Sequence, residues 1–177
     1  MAQPLPRDAR YSAVAIAFHW TIALLVVINL AIGAFGMPFP GGMGSHKAIG
    51  ISVLVLTLGR LAWRLTHRPP PLPADTKPWE RAAAHTVHWG LYALLVLMPL
   101  TGWLMVSGSE TRRPLTWFGL FDIPYLPVGR AAGGIGHEGH ELLGWLMLAL
   151  VAIHVAAALR HHLILRDRVL GRMLPGA

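Results

Sequence analysis

The sequence contains no cysteine, and charged residues are scarce: its 177 residues include 15 Lys and Arg and 8 Asp and Glu. The lack of thiols excludes disulfides, thiolate-bound iron–sulfur clusters and covalent haem attachment through a Cys-x-x-Cys-His motif. The scarcity of charge, together with an apolar content of 54%, excludes an ordinary soluble domain of this length. The chain is instead built mainly from long hydrophobic stretches.

Four hydrophobic stretches account for most of the chain, and we expect helices at about 11–35, 45–65, 81–106 and 138–165. Each is long enough to cross about 30 Å of hydrocarbon, which takes roughly 20 helical residues. An α-helix also satisfies its backbone hydrogen bonds internally, as the bilayer requires. The first stretch is too long for a cleaved leader, so we expect it to remain as a membrane helix. The sequence therefore predicts an all-α integral membrane protein, a single four-helix bundle over residues 1–177.

Three connections join these helices. Residues 36–44 are rich in glycine and proline and predict a short turn, while residues 66–80 contain five prolines and predict an extended link. The longest connection, 107–137, carries four aromatic residues among glycines and prolines, which suits a cap lying at the membrane surface. Those aromatic residues are Trp117, Phe118, Phe121 and Tyr125.

Basic residues divide unequally between the two ends of the predicted bundle. Because cytoplasmic segments are enriched in Lys and Arg, we expect both termini and the 66–80 connection in the cytoplasm of a bacterial inner-membrane protein. The 36–44 and 107–137 connections are then periplasmic. This topology explains the net charge of +7 better than a nucleic-acid partner does. The cytoplasmic set is Arg7, Arg10, Arg60, Arg64, Arg68, Lys77, Arg81, Arg160, Arg166, Arg168 and Arg172, and the periplasmic set is Lys47, Arg112, Arg113 and Arg130.

Histidines are unusually frequent, with ten in the chain, and several fall inside apolar helices where an ionisable group is costly and usually functional. His19 lies near the cytoplasmic start of helix one, and His46 opens helix two at the periplasmic side. Helix four carries His140 at its periplasmic start and His154 fourteen residues later. Fourteen residues rise about 21 Å in nearly four turns, so both imidazoles lie on one stripe. We therefore expect two pairs, His46 with His140 and His19 with His154.

Paired imidazoles from neighbouring helices are what a low-spin haem needs, one nitrogen on each face of the iron. The pattern predicts two non-covalent b-type haems with bis-histidine ligation, stacked in two layers. Gly50 and Gly144 each lie one helical turn from an expected ligand and would give the flat macrocycle room. A histidine-lined zinc or copper path is the alternative, but such a path usually adds acidic or sulfur ligands, which the apolar helices lack.

The chain resembles the bacterial cytochrome b561 family over nearly its whole length, and within it is most similar to the short superoxide oxidases. The order and spacing of the motifs make the resemblance specific. The motifs are Ala-Phe-His19-Trp, Ser-His46-Lys-Ala-Ile-Gly, Ala-His85-Thr-Val-His88-Trp-Gly-Leu-Tyr, Gly-His140-Glu-Leu-Leu-Gly and His154-Val-Ala-Ala-Ala-Leu-Arg-His161-His162, followed by a C-terminal Leu-Gly-Arg-Met-Leu-Pro.

The resemblance implies electron transfer from periplasmic superoxide, through both haems, to ubiquinone. Superoxide would approach the outer haem without replacing a histidine, and periplasmic cations would attract it. Lys47, adjacent to His46, is the preferred candidate. For any one of these cations, ordinary loop solvation or contact with lipid phosphate is an equally good interpretation.

Quinone reduction also consumes protons, so the resemblance implies a polar pocket beside the inner haem. His161 lies seven residues beyond His154 on the same stripe, and His88 reaches a similar depth. Arg60 and Lys77 could complete the pocket or contact haem propionates. Asp75 lies in a link that is often basic in relatives, which puts the part of that link in quinone binding in doubt.

Another function is compatible with the same fold and ligands. The protein could be a haem-carrying membrane subunit that relays electrons between a periplasmic dehydrogenase or hydrogenase and the quinone pool. It would then need a protein donor, and residues 107–137 would form a docking surface rather than a cap around a small-molecule entrance.

Overall fold

The computed structural model describes residues 10–72, 76–111 and 113–175. Arg7, Asp75 and Arg112 lie outside these residues. Each of the four helices is long and apolar enough to cross a membrane, the fourth together with a π-helical extension to Leu165. The predicted four-helix membrane protein is confirmed. The helices are α1 (Ala13–Phe35), α2 (Gly42–Thr66), α3 (Pro78–Ser107) and α4 (Arg130–Leu159), and α4 continues into the π-helical segment Arg160–Leu165.

The helices pack as neighbours around one apolar core. The most extensive contact joins α3 to α4, α1 packs along α2, and α2 also contacts α3. Large apolar side chains also cover the outside of the bundle, for example Leu24 and Leu142, as a surface facing lipid requires. The core consists of Ile22, Val26, Ile32, Ile49, Val53, Leu94, Leu95 and Met147.

The fourth helix begins at Arg130, eight residues before the expected position 138, and α3 begins at Pro78 rather than 81. The segment after Arg130 is rich in glycine, a composition typical of a loop. In the structure it is helical, and its glycines let α4 lie directly against α3. A Cβ on Gly133 would stand 2.8 Å from the carbonyl carbon of Gly108, and one on Gly136 would stand 2.6 Å from the backbone nitrogen of Met105. Small residues at such positions allow membrane helices to approach closely.

The connection between α3 and α4, residues 108–129, folds over one end of the bundle. It contains a two-stranded antiparallel hairpin, β1 (Thr116–Trp117) and β2 (Phe121–Asp122). We call this connection the cover, and the end beneath it, where α2 and α4 begin, the outer end. Leu115 and Ile123 of the cover are buried.

Hydrogen bonds hold the cover on the helices. The indole of Trp117 donates to Ser52 Oγ at 3.0 Å, and that of Trp103 donates to the carbonyl of Pro124 at 2.9 Å. The backbone N–H of Leu126 donates to the buried Ser107 hydroxyl at 3.0 Å, and Lys47 Nζ donates to the Pro114 carbonyl. The cover is therefore attached to α2 and α3 at several points.

The opposite end, where α1 and α3 begin, is the inner end, and the C-terminal residues cross it. The Trp20 indole donates to the carbonyl of Met173 at 2.7 Å, and Arg10 donates to that of Leu174 at 3.1 Å. Arg172 donates to the Pro71 carbonyl at 2.5 Å. The residues after α4 thus connect α1 to the link between α2 and α3.

Candidate functional site

Two histidines face each other near the outer end. His46, from the first turns of α2, and His140, from α4, have ring centroids 6.0 Å apart and ring planes at 82°. Both are half-buried. Two metal–imidazole bonds of about 2 Å, with the ring radii added, separate ring centroids by roughly 6 Å. The spacing of this outer pair therefore fits one metal ion held between the two rings.

Hydrogen bonds orient both rings of the outer pair. His46 Nδ1 lies 3.3 Å from the carbonyl oxygen of Asn29, and His140 Nδ1 lies 3.0 Å from that of Met98. A carbonyl can only accept, so Nδ1 carries the proton and Nε2 keeps its lone pair. The Thr101 hydroxyl is also within 3.3 Å of His140 Nδ1. The local contacts thus favour the tautomer in which Nε2 is free to bind a metal.

Each ring of the outer pair packs against a glycine on a neighbouring helix. A Cβ on Gly33 of α1 would stand 2.7 Å from His46 Cε1, and a Cβ on Gly102 of α3 would stand 3.0 Å from His140 Cε1. Any larger residue at these positions would displace the imidazole. Neither glycine was identified from the sequence, because the contact crosses between helices.

The glycines expected to give a macrocycle room, Gly50 and Gly144, line the same cavity but crowd no histidine. A Cβ on either would make only ordinary contacts, 3.7 Å from Asn29 Nδ2 and 3.8 Å from Met98 Cε. Their small size keeps the cavity open, whereas Gly33 and Gly102 determine where the rings can lie.

A cavity of about 720 Å³ surrounds the outer pair. This volume lies within the range of about 300–1,000 Å³ typical of cofactor pockets. The Asn29 side-chain oxygen, in a residue that lines it, is buried and has no hydrogen-bond partner among the described residues. Mostly apolar walls, two facing imidazoles and glycines beside the rings fit a b-type haem.

The inner end holds a second pair. His19 of α1 and His154 of α4 have ring centroids 6.2 Å apart, close to the spacing of the outer pair, and both are half-buried. His88 of α3 lies 5.4 Å from the His154 ring and is more exposed. The structure thus brings together the two residues expected as ligands and adds His88 beside them.

His19 has an arginine at its Nδ1, whereas the histidines of the outer pair have backbone carbonyls there. Its Nδ1 lies 3.2 Å from an Arg60 guanidinium nitrogen, which can only donate. Arg60 also lies over the ring of the buried Tyr92, 5.4 Å from its centroid, and Arg64 lies 5.7 Å from the same ring. Burial raises the pKa of the nearby Tyr11 phenol, while Arg64 and Arg60 act in the opposite direction. A cluster of guanidinium and phenol groups therefore adjoins the inner pair through Arg60.

The remaining candidate residues occupy distinct places. Lys47 and Arg113 line the outer cavity, whereas Arg130 pairs with Glu110 at 2.8 Å on the surface.

Lys77 is exposed at the start of α3, where its backbone N–H donates to Glu80 at 3.3 Å. His161 lies at the end of α4 with its Nδ1 2.5 Å from Asp167 Oδ2, a contact that the sequence did not indicate.

Comparison with known proteins matches residues 10–176 to the family model described as prokaryotic cytochrome b561. Cytochrome b561 homolog 2 of Escherichia coli is 33% identical, with 93% of this chain and 91% of that protein aligned. A protein of Yersinia pestis named probable superoxide oxidase CybB is 30% identical, over 94% and 96% of the two chains. A probable Ni/Fe-hydrogenase B-type cytochrome subunit of Azotobacter chroococcum is 24% identical, over 94% and 86%.

Four helices able to cross a membrane, facing histidines in the bundle and the match over nearly the whole chain agree with one another. Membership implies binding of b-type haem and a place in the bacterial inner membrane. The protein belongs to the prokaryotic cytochrome b561 family of electron-transferring membrane haem proteins.

Proposed function

We propose that the protein is a di-haem cytochrome b that oxidises periplasmic superoxide and reduces ubiquinone. Two superoxide anions, one ubiquinone and two protons would yield two dioxygen molecules and one ubiquinol. The observation that carries the proposal is the presence of two facing histidine pairs at opposite ends of one membrane bundle. The similarity to a probable superoxide oxidase supports the choice of reaction.

In this proposal residues 1–177 form one membrane domain with both termini in the cytoplasm, so the outer end faces the periplasm. His46 with His140 and His19 with His154 would each hold one haem. When bound, the haems supply one-electron transfer between the two faces of the membrane. The chain holds the outer rings in place through the Asn29 and Met98 carbonyls, which leave Nε2 of each ring free. At the inner pair Arg60 donates to Nδ1 of His19, so that contact would have to be released for His19 to bind iron through Nε2.

Lys47 and Arg113 would attract superoxide to the outer site. Both line the outer cavity, and Lys47 is also bonded to the cover through Pro114. Positive charge at a narrow entrance raises the local concentration of a small anion. The hydrogen bonds that attach the cover to α2 and α3 favour a small donor that needs no large rearrangement.

The inner end would bind ubiquinone and supply its protons. His88 and His161 are the residues proposed to contact the quinone or move protons, because imidazole can exchange protons near neutral pH. Arg60 beside His19 could hydrogen-bond a quinone oxygen or pair with a haem propionate. Lys77, exposed at the same end, is proposed for the same role.

The test is stopped-flow spectroscopy of the purified protein with superoxide and excess ubiquinone, following haem absorbance and quinol formation. The proposal expects rapid haem reduction, then quinol formation, both abolished by superoxide dismutase. If superoxide does not reduce the haems but ubiquinol does, superoxide is not the electron donor. The protein would then still be a cytochrome that exchanges electrons with quinone.

A relay subunit that takes electrons from a protein is the second candidate. The relative named as a hydrogenase cytochrome subunit supports it, as do large exposed apolar residues on the cover, Phe118, Leu120 and Phe121. Copurification of a redox enzyme with the wild type, lost when Leu120 and Phe121 are changed to Ser, would favour this candidate over superoxide oxidation.

A further inference from the structure

The end of α4 departs from regular α-helix at the point where it leaves the bundle. Its last six residues, Arg160–Leu165, are π-helical, and Arg166 then has a left-handed backbone with φ of 51°. The N–H groups of Arg166 and Asp167 both donate to the carbonyl of His161. Because π-helical turns and left-handed non-glycine residues are uncommon and concentrate at functional sites, this reversal needs an explanation.

The reversal brings Asp167 back onto His161. One carboxylate oxygen lies 2.5 Å from His161 Nδ1, and the other accepts the N–H of Val169 at 3.0 Å. Both oxygens are therefore held in place. A carboxylate on Nδ1 keeps a proton there, so Nε2 is the nitrogen left to accept or release protons.

The pair lies between the inner histidines and the solvent. His161 follows His154 by seven residues, or about 10 Å along the helix axis. Its side chain is 23% exposed, and that of Asp167 is 33% exposed, so the pair is partly accessible at the surface of the inner end.

The ionisable residues that flank the pair in sequence are basic. Arg160 precedes His161 and forms an ion pair with Glu80 of α3 at 3.5 Å. His162, Arg166 and Arg168 are exposed neighbours. Asp167 is thus the acidic group in contact with His161 among the described residues.

We propose that Asp167 is a positioning residue that holds His161 as the proton donor to the bound quinone. The inference rests on the proposed quinone reduction and names its proton source. Protonated His161 releases its Nε2 proton to a quinone oxygen. Its Nδ1 proton stays on the ring, hydrogen-bonded to Asp167, and Nε2 takes up the next proton from cytoplasmic water. Two such transfers, with the two electrons from superoxide, convert the quinone to quinol.

The test measures electron transfer to quinone without superoxide. Wild type and Asp167→Asn are reduced with stoichiometric dithionite under anaerobic conditions and mixed with a short-chain ubiquinone, and haem reoxidation is followed across pH. Ferricyanide, which accepts electrons without protons, is the parallel oxidant. We expect Asp167→Asn to slow reoxidation by ubiquinone at least tenfold and to change its dependence on pH, because the imidazole loses the carboxylate that holds its Nδ1 proton. Ferricyanide should oxidise both proteins equally fast.

Two further variants separate positioning from folding. His161→Gln can still donate to Asp167 but cannot carry a proton, so it should show the same selective loss even if Asp167→Asn does not fold. The double variant should be no slower than His161→Gln alone. His162→Gln, a change at the adjacent exposed histidine, is the matched control and should match wild type.

Three outcomes would overturn the inference: wild-type ubiquinone rates in Asp167→Asn and His161→Gln, equal slowing with ferricyanide, or additive effects in the double variant. The proposed quinone reduction, on which this inference rests, fails in a different way, because wild-type haems would then not be reoxidised by ubiquinone at all.

Discussion

Replacing Gly33 by alanine should remove the outer haem. The new Cβ would stand 2.7 Å from His46 Cε1, whereas carbon atoms in contact are normally about 3.5–4.0 Å apart. The ring must therefore move by about 1 Å, away from the carbonyl of Asn29 that orients it. Overpacking of this kind costs about 1–3 kcal/mol. If this strain is present only when haem is bound, it raises the dissociation constant of the outer haem by about 5- to 150-fold.

The assay is the ratio of haem to protein in the purified variant, together with its low-temperature absorption spectrum. Wild type should contain two haems and Gly33→Ala about one. Gly134→Ala is the matched control, since Gly134 also lies in a helix and its added Cβ would meet nothing within 4 Å. Two haems with unchanged spectra in Gly33→Ala would refute the reasoning that this glycine makes room for the outer ligand.

Three more predictions follow from the two ends of the bundle. His140→Ala should remove mainly the outer haem and His154→Ala mainly the inner one, as measured by haem content and redox titration. Equal loss of both haems from each variant would contradict two separate layers. Lys47→Gln should lower the rate of haem reduction by superoxide roughly tenfold at low ionic strength and less at high salt. A salt-independent effect would mean that Lys47 only holds the cover. Burial raises the pKa of Tyr11 above its usual 10.0, so its contribution to stability is present below that pH and is lost as the pH rises through the folded-state value. The unfolding temperature should therefore fall less steeply above pH 10 in Tyr11→Phe, and equal slopes would contradict this.

The helices and the depths of the histidines could be predicted because both depend on local rules. Hydrophobic length defines each membrane helix, and helical spacing puts His140 and His154 on one stripe. Because successive helices run in opposite directions, the depth of each histidine in one helix shows which histidine of another helix lies at the same level. Facing pairs could thus be predicted before any contact was known, and the structure brings the same four residues together.

The start of α4 could not be predicted, because glycine has two opposite uses. In a loop it supplies conformational freedom, and between membrane helices it permits close contact. Residues 131–136 are rich in glycine and resemble a loop by composition, yet Gly133 and Gly136 pack on α3. Only the position of the neighbouring helix distinguishes the two uses.

The sequence by itself determined the class of protein, the four helices and the two depths at which histidines meet, since these follow from composition and a fixed rise per residue. The tertiary structure decided what each ring touches: glycines beside His46 and His140, Arg60 on His19, and Asp167 on His161. These contacts join residues on different helices, or cross an irregular turn. They depend on helix rotation and backbone reversal, which no local spacing rule specifies.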